Sequence, residues 1–215
     1  MCVLSKKEIE KLCKQQLISP YDPKKIKYAS YDLSVGDEYR LSNEKHVRKI
    51  GKNGVVEIPP YSVCFVLAEE KVKLPNDVCA FIFSRHRAAI EGFLMHPQPP
   101  IDPGYEGGIY ILLHNLSNET VRLHRGDHLA TIVFVKLSAS VEKGYGSGED
   151  DKYHGLNTLE EIIGDRKYDP ALREISSTIL NWKETFLSKW LPWTLTLITI
   201  LLMVLTILLM IKVGK

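Results

Sequence analysis

The stretch GGIYILLHNLSNETVRLHRGDHLATIVFVKL, residues 107–137, holds three runs, GGIYILL, TVRLH and LATIVFVKL, separated by turn-forming Asn, Ser, Gly and Asp. β-Branched and aromatic residues crowd the apolar runs, and a turn residue interrupts each run before it reaches helical length. The same texture runs towards the N-terminus through YDLSV (31–35), GVVEI (54–58), SVCFVLA (62–68) and VCAFIF (78–83). Many short strands at close spacing, each bounded by Gly, Pro, Asn or Asp, predict a mainly β domain, a distorted barrel or jelly roll. No internal repeat of fixed period interrupts that reading.

The flanks differ from this centre. Ser5 to Gln16 reads as an amphipathic helix, with Ser5 placed to cap it, Glu8 at the capping-box position, and Ile9 and Leu12 on one face. EKGYGSGEDD, residues 142–151, is Gly-rich and acidic and is expected to be a mobile loop or tail. Beyond it, Leu172, Ile175, Ile179, Trp182 and Phe186 recur at alternating spacings of three and four, a heptad-like seam. That seam fits either a short stalk of several chains or a helix lying apolar face down on a membrane.

Trp190 to Ile211 contains no charged residue. About 20 apolar residues match the roughly 30 Å hydrocarbon core of a bilayer, and a helix apolar on every face is seldom a soluble core helix. Trp190 and Trp193 suit one interface, and Lys212 and Lys215 close the other end. The expected organisation is therefore a soluble domain over 1–157, a helical linker or stalk over 158–189 and a membrane helix over 190–211. Arg173, Lys183 and Lys189 before the span, together with the charged start MCVLSKKEIEKL, predict a tail anchor with the β domain in the cytoplasm.

The composition narrows the functional classes. With 28 basic and 26 acidic residues, the net charge of +2 gives no broad field for nucleic acid. Cys2, Cys13, Cys64 and Cys79 are scattered, with no C-x-x-C pair, and read as reduced thiols that mostly fill core space. No metal-ligand cluster is apparent.

LSKKEIEKL at the start, YASYDLSVGDEYRL (28–41), the turn IDPGYEGGI (101–109) and RGDHLATIVF (125–134) occur in an order that resembles the dCTP deaminase branch of the dUTPase superfamily. The resemblance covers about residues 4–157. It implies a dUTPase-type β-barrel, a homotrimer with nucleotide sites between subunits, and a pyrimidine deoxynucleotide as ligand. From the residues alone, Pro103 and Gly104 make a tight turn that presents Asp102, and Tyr105 can stack on a sugar. An acid before Pro-Gly also serves as an ordinary turn residue. The resemblance gives Asp102 the role of ordering the water that attacks a phosphate, with Mg²⁺ offsetting the phosphate charge, and places Tyr105 against the deoxyribose. It also puts Arg85, His86 and Arg87 where the family contacts the phosphate chain, and matches Lys152, Tyr153 and Gly155 of DKYHGLN to a C-terminal lid, although Leu156 replaces the lid's Gln.

The deaminase chemistry implied by the family is not matched. Its water-activating Glu belongs ten residues after the turn's Asp, and that position is Leu112. The segment Arg-Ser-Ser-x-x-Arg-x-Gly is RHRAAIEG here, so His86, Arg87 and Ile90 replace Ser, Ser and Arg. Pro99 and Pro100 stand where a His-Arg pair precedes the turn. Leucine neither moves a proton nor carries charge, so deamination is not expected. Three readings follow: a nucleotide-binding sensor or regulator, a tethered enzyme (a pyrophosphohydrolase working through Asp102, or a deaminase), and a trimeric adaptor that only organises membrane helices.

Overall fold

The computed structural model describes residues 2–51, 54–86, 90, 92–148, 151–164 and 181–213. The chain divides into two compact units, Met1–Asp169 and Pro170–Lys215.

The first unit is mainly β, a curled antiparallel half-barrel. Its strands are β1 (Cys2–Val3), β2 (Ile18–Ser19), β3 (Tyr31–Leu41), β4 (Arg48–Lys49), β5 (Val55–Ile58), β6 (Val63–Lys73), β7 (Val78–Ser84), β8 (Phe93–Met95), β9 (Glu106–Asn115), β10 (Val121–His124) and β11 (His128–Lys136). Neighbours in the main sheet follow the order β1-β11-β3-β6-β9-β8, with β2 on β6, β4 on β3 and β7 on β11, while β5 and β10 pair separately. The predicted runs all coincide with strands to within one end residue, and YDLSV and SVCFVLA continue further than their apolar cores, to Leu41 and Lys73.

Alternation explains the layering. Ile109, Ile111 and Leu113 of β9 enter the main core with Val66, Leu33, Ile132 and Phe134. Leu112 faces the other way, into a second cluster. Register shifts in β3 between Val35 and Tyr39 and in β6 between Leu67 and Lys71 mark bulges that help the sheet curl. Gly36 fits this bend because a Cβ there would meet the Leu67 carbonyl oxygen at 2.8 Å.

Helix α1 (Lys6–Cys13) buries Ile9 and Cys13 and is capped as expected, the Ser5 N–H donating to Glu8 Oε2 at 2.8 Å. It stops short of Gln16, whose φ of 68° is left-handed. The Leu17 N–H reaches back to the Leu12 carbonyl at 3.2 Å, a turn that closes the helix end.

Two expectations change. The β unit does not stop at residue 157, because α2 (Leu159–Ile163) buries Leu159, Ile162 and Ile163 against the sheet. The described part of the Gly-rich segment is also tied down: the Tyr145 N–H donates to the Pro103 carbonyl at 2.7 Å. Gly104 and Gly144 permit this, since a Cβ on Gly104 would lie 2.7 Å from the Gly144 Cα.

The second unit contains α3 (Leu191–Val213), preceded by a π-helical turn at Phe186–Trp190. The helix over Asn181–Ile207, 27 residues, is long and apolar enough to cross a membrane. Trp182 and Phe186 of the heptad-like seam stack with centroids 5.8 Å apart. Leu172, Ile175 and Ile179 lie outside the described residues.

Candidate functional site

The turn at Asp102 is built as its sequence requires. Pro103 fixes φ at the first central position, Gly104 takes φ of +85° at the second, and the Tyr105 N–H closes onto the Asp102 carbonyl at 3.2 Å. The Asp102 side chain is exposed and makes no hydrogen bond among the described residues. A carboxylate needed only for the turn would bond a nearby backbone N–H. Asp102 instead lines a cavity of about 380 Å³ together with Gln98, Pro99, Tyr105, Tyr110, Tyr145 and Tyr153, among others.

Tyr105 forms the rigid wall of that cavity. Its hydroxyl donates to the Gly108 carbonyl at 2.7 Å, and its ring lies 5.6 Å from that of Tyr145. Burial, followed by the neighbouring Tyr145 and Tyr110, pushes the phenol up to about 12. The folded value exceeds the unfolded one of 10.0, so this group's stabilisation is complete below pH 10 and is lost as pH rises through 12. Titration of phenolate absorbance is therefore expected to show a phenol ionising near pH 12 that Tyr105→Phe removes. A residue-105 phenol ionising at the ordinary value of 10.0 would refute the packing.

Residues 145–148 and 151–164 form a strap along this face. After Tyr145 docks on Pro103, the Gly155 N–H donates to the Glu106 carbonyl at 2.7 Å and the Leu156 carbonyl accepts from the Gly108 N–H at 2.8 Å. Two residues further on, α2 begins, with the Thr158 hydroxyl accepting from the Glu161 N–H at 3.3 Å. Both ends of α2 are held by β3. Buried Glu38 accepts from the Leu159 N–H at 2.7 Å, and Arg40 Nη1 donates to the Gly164 carbonyl at 2.7 Å. These bonds satisfy backbone groups that a helix end leaves without partners.

Leu112 lies beneath this strap. It is 6% exposed and packs with Phe65, Leu67, Leu159, Ile162 and Ile163. Cross-strand pairing sets Arg40, Phe65 and Leu112 in one row, and the Arg40 guanidinium sits 5.5 Å above the Phe65 ring. The position is thus apolar above and below the sheet, with its strand's opposite face in the main core.

Arg85 and the adjacent His86 belong to another region. Arg85 borders a second, larger cavity of about 850 Å³, lined also by Asn118, Arg122, His124 and His128. Arg85 Nη1 donates to buried Asp32 at 2.9 Å, and Asp32 also accepts from Thr131 at 3.0 Å, faces Lys27 at 3.4 Å and contacts His128 Nδ1 at 3.1 Å. Arg85 Nη1 and His128 Nδ1 are in direct contact as well. His86 is exposed next to it, Ile90 is 73% exposed, and Arg87 lies outside the described residues. Within one chain, then, Asp102, Tyr105 and Tyr153 share a cavity, exposed Lys152 adjoins Tyr153 in sequence, and Arg85 stands apart.

Sequence reasoning missed Asp32, Glu38, Arg40, Gln98 and Tyr145. Asp32 and Tyr145 had usable signals, an acid inside the strand YDLSV and an aromatic inside KGYGSG. Glu38 and Arg40 look like ordinary solvent-facing strand residues until α2 is seen to cover them.

Comparison with known proteins extends these observations. A family model described as dCTP deaminase-like matches residues 3–137. The dCTP deaminase of Pyrococcus horikoshii is 38% identical over 149 residues, covering 69% of this chain and 91% of its own. The dUMP-forming dCTP deaminase of Methanosphaera stadtmanae is 31% identical over 177 residues, covering 72% of this chain and 90% of its own. Among solved structures, the 2′-deoxycytidine 5′-triphosphate deaminase of Agrobacterium tumefaciens superposes with a TM-score of 0.54 at 17% identity, over 62% of this chain and 48% of that one, a likeness of fold.

Proposed function

Because the chain belongs to the dCTP deaminase-like family, we propose that it is a membrane-anchored member that binds a pyrimidine deoxynucleotide of the dCTP or dUTP class as a sensor or regulator and no longer deaminates. The observation that carries this reading is Leu112 buried against Leu159, Ile162 and Ile163, where the family's chemistry calls for a carboxylate. A general base must reach its water and hold charge. An aliphatic side chain sealed under a helix does neither.

The cavity at the turn supports retained binding. Its tyrosines and prolines offer flat apolar surface to a base and sugar, and Asp102 supplies its exposed carboxylate. Because that cavity contains no Lys or Arg among its lining residues, the phosphates are proposed to meet Arg85, His86 or Lys152 of a neighbouring copy, in a homotrimer. Mg²⁺ would come with the triphosphate, since the described residues contain no cluster of three or more His, Cys, Asp or Glu to hold a metal. Its contribution there is to neutralise phosphate charge. The apolar Asn181–Ile207 helix is proposed to anchor the assembly, with the β unit on the cytoplasmic side.

A second reading, a tethered pyrophosphohydrolase, is favoured by one feature, the unbonded Asp102 carboxylate at the cavity mouth. The test uses the full chain in detergent with dCTP and dUTP, following binding by calorimetry and ammonia and pyrophosphate separately. Binding without either product is the expected result. Ammonia release that depends on the site would overturn the loss of deamination. Pyrophosphate release that falls at least a hundredfold in Asp102→Asn would establish the hydrolase, and absence of binding would leave only the adaptor.

A further inference from the structure

The lysines of the chain are unevenly placed. Residues 1–30 hold seven lysines against three acids, in a chain whose whole net charge is +2, so the other residues carry a slight acidic excess. In α1, Lys7, Lys11 and the C-cap Lys14 follow one another at spacings of four and three. At about 100° per residue they fall within about 60° of one another around the helix, opposite the buried Ile9 and Cys13. The two side chains that hold α1 on the core therefore turn this row of ammonium groups outward.

That charge is not neutralised locally. The three acids of the segment are already engaged: Glu8 accepts from the Ser5 hydroxyl at 2.7 Å, Asp22 accepts from the Lys24 N–H at 2.8 Å, and Glu10 faces Lys6 at 3.9 Å. Lys25 is tied to buried Glu70 at 2.6 Å and Lys27 to Asp32 at 3.4 Å. Lys7, Lys11 and Lys14 are exposed and make no ion pair among the described residues. Tyr28 adjoins the start of the helix, its carbonyl accepting from the Lys6 N–H at 2.8 Å, and is 94% exposed. A tyrosine so exposed contributes almost nothing to packing, whereas its ring and hydroxyl suit the boundary between lipid and water.

We propose that the outer face of α1, Lys7, Lys11 and Lys14 with Tyr28 at its start, docks on the anionic phospholipid headgroups of the bilayer that the chain's own apolar helix enters. This rests on the membrane-anchoring reading above. Charge complementarity selects the occupant. An anionic leaflet presents many separate negative charges, which a row of flexible ammonium groups meets as point charges without a pocket or a planar fork of donors. A covalent anchor keeps the β unit at high effective concentration beside that surface, so a weak attraction is enough. Each lysine close to an anionic leaflet shifts the balance about fivefold towards contact. Docking gives the β unit one preferred face towards the lipid, set by the lysine row.

The experiment uses the full chain in lipid nanodiscs, with a fluorophore on Cys2, which is exposed just before the Ser5 cap while Cys13, Cys64 and Cys79 are buried. A nitroxide on the choline headgroup quenches the label when this end of the β unit meets the surface. In the unaltered chain, discs containing phosphatidylserine should give quenching that is lost in pure phosphatidylcholine and in about 1 M salt, where the screening length is about 3 Å. Lys7→Glu combined with Lys11→Glu should lower the ratio of docked to free chain about tenfold. Lys45→Glu combined with Lys143→Glu, an equal change of net charge at exposed positions elsewhere, should leave that ratio within about twofold. Equal quenching in the two lipids, or equal loss in the two double variants, overturns the docking surface and leaves the anchor standing. A chain that fails to enter the discs overturns both.

Discussion

Leu112→Glu is expected to release no ammonia from dCTP and to melt roughly 10 °C below the unaltered chain. The substitution restores the carboxylate that the family places ten residues after the turn, so on sequence grounds it is the natural repair. The packing predicts damage. A glutamate at a 6% exposed position among Phe65, Leu67, Leu159, Ile162 and Ile163 either stays charged without solvent or becomes protonated without a partner. Arg40, two strands away in the same row, already holds the Gly164 carbonyl. A cost of about 3–5 kcal/mol is usual for an uncompensated buried charge, and a unit of this size loses about 2–4 °C per kcal/mol. Much of the loss should appear as ejection of α2, visible as new protease sensitivity near residue 160. A variant that melts unchanged would mean that α2 does not cover Leu112 in solution.

Gly104→Ala should cost about 2–3 kcal/mol and weaken nucleotide binding at least tenfold. Two effects act together. At φ of +85° a non-glycine residue is strained by about 1–2 kcal/mol. The new methyl would also meet backbone rather than a movable side chain, 2.7 Å from Gly144 Cα and 2.8 Å from Tyr145 N. Relief requires the strap to lift, which breaks the bond from Tyr145 to Pro103 and removes the tyrosine wall from the cavity. Calorimetry with dUTP or dCTP, paired with thermal melting, tests this. Loss of stability with intact affinity would show that Tyr145 contributes nothing to the site.

The sequence carried most of the fold. Short β-branched runs between turn residues identified the strands because period-two burial leaves a local trace, and the Ser5–Glu8 cap was legible for the same reason. IDPGY was readable as a turn because Pro103 and Gly104 each have one conformational use there. What local pattern could not reveal was which distant segment covers which face. Residues 158–164 were read as the beginning of a helical linker or stalk, because nothing local reveals that Leu159, Ile162 and Ile163 pack on the sheet. EKGYGSGEDD looked mobile because glycines usually signal freedom, whereas Gly144 serves here to let two backbones touch. Leu112 was singled out by spacing, but its burial depends on residues nearly fifty positions later. Arg85 was singled out for phosphate, yet Asp32, which holds it, sits far back in β3.

The strap also bears on how safely many copies can crowd together. One edge of β9 pairs with β6, and the other would otherwise present open N–H and C=O groups to any passing strand. Gly155 covers Glu106, Leu156 covers Gly108, the Gln98 amide covers the Tyr110 carbonyl at 2.7 Å, His96 covers Leu112 at 2.8 Å, and β8 covers Leu113 to Asn115. Each closure comes from the same chain. Exposed edges template aggregation, and molecules confined to a surface meet far more often than molecules in bulk solution. A β domain with its edge sealed from within is suited to dense packing, and lifting the strap would expose that edge at Glu106–Gly108.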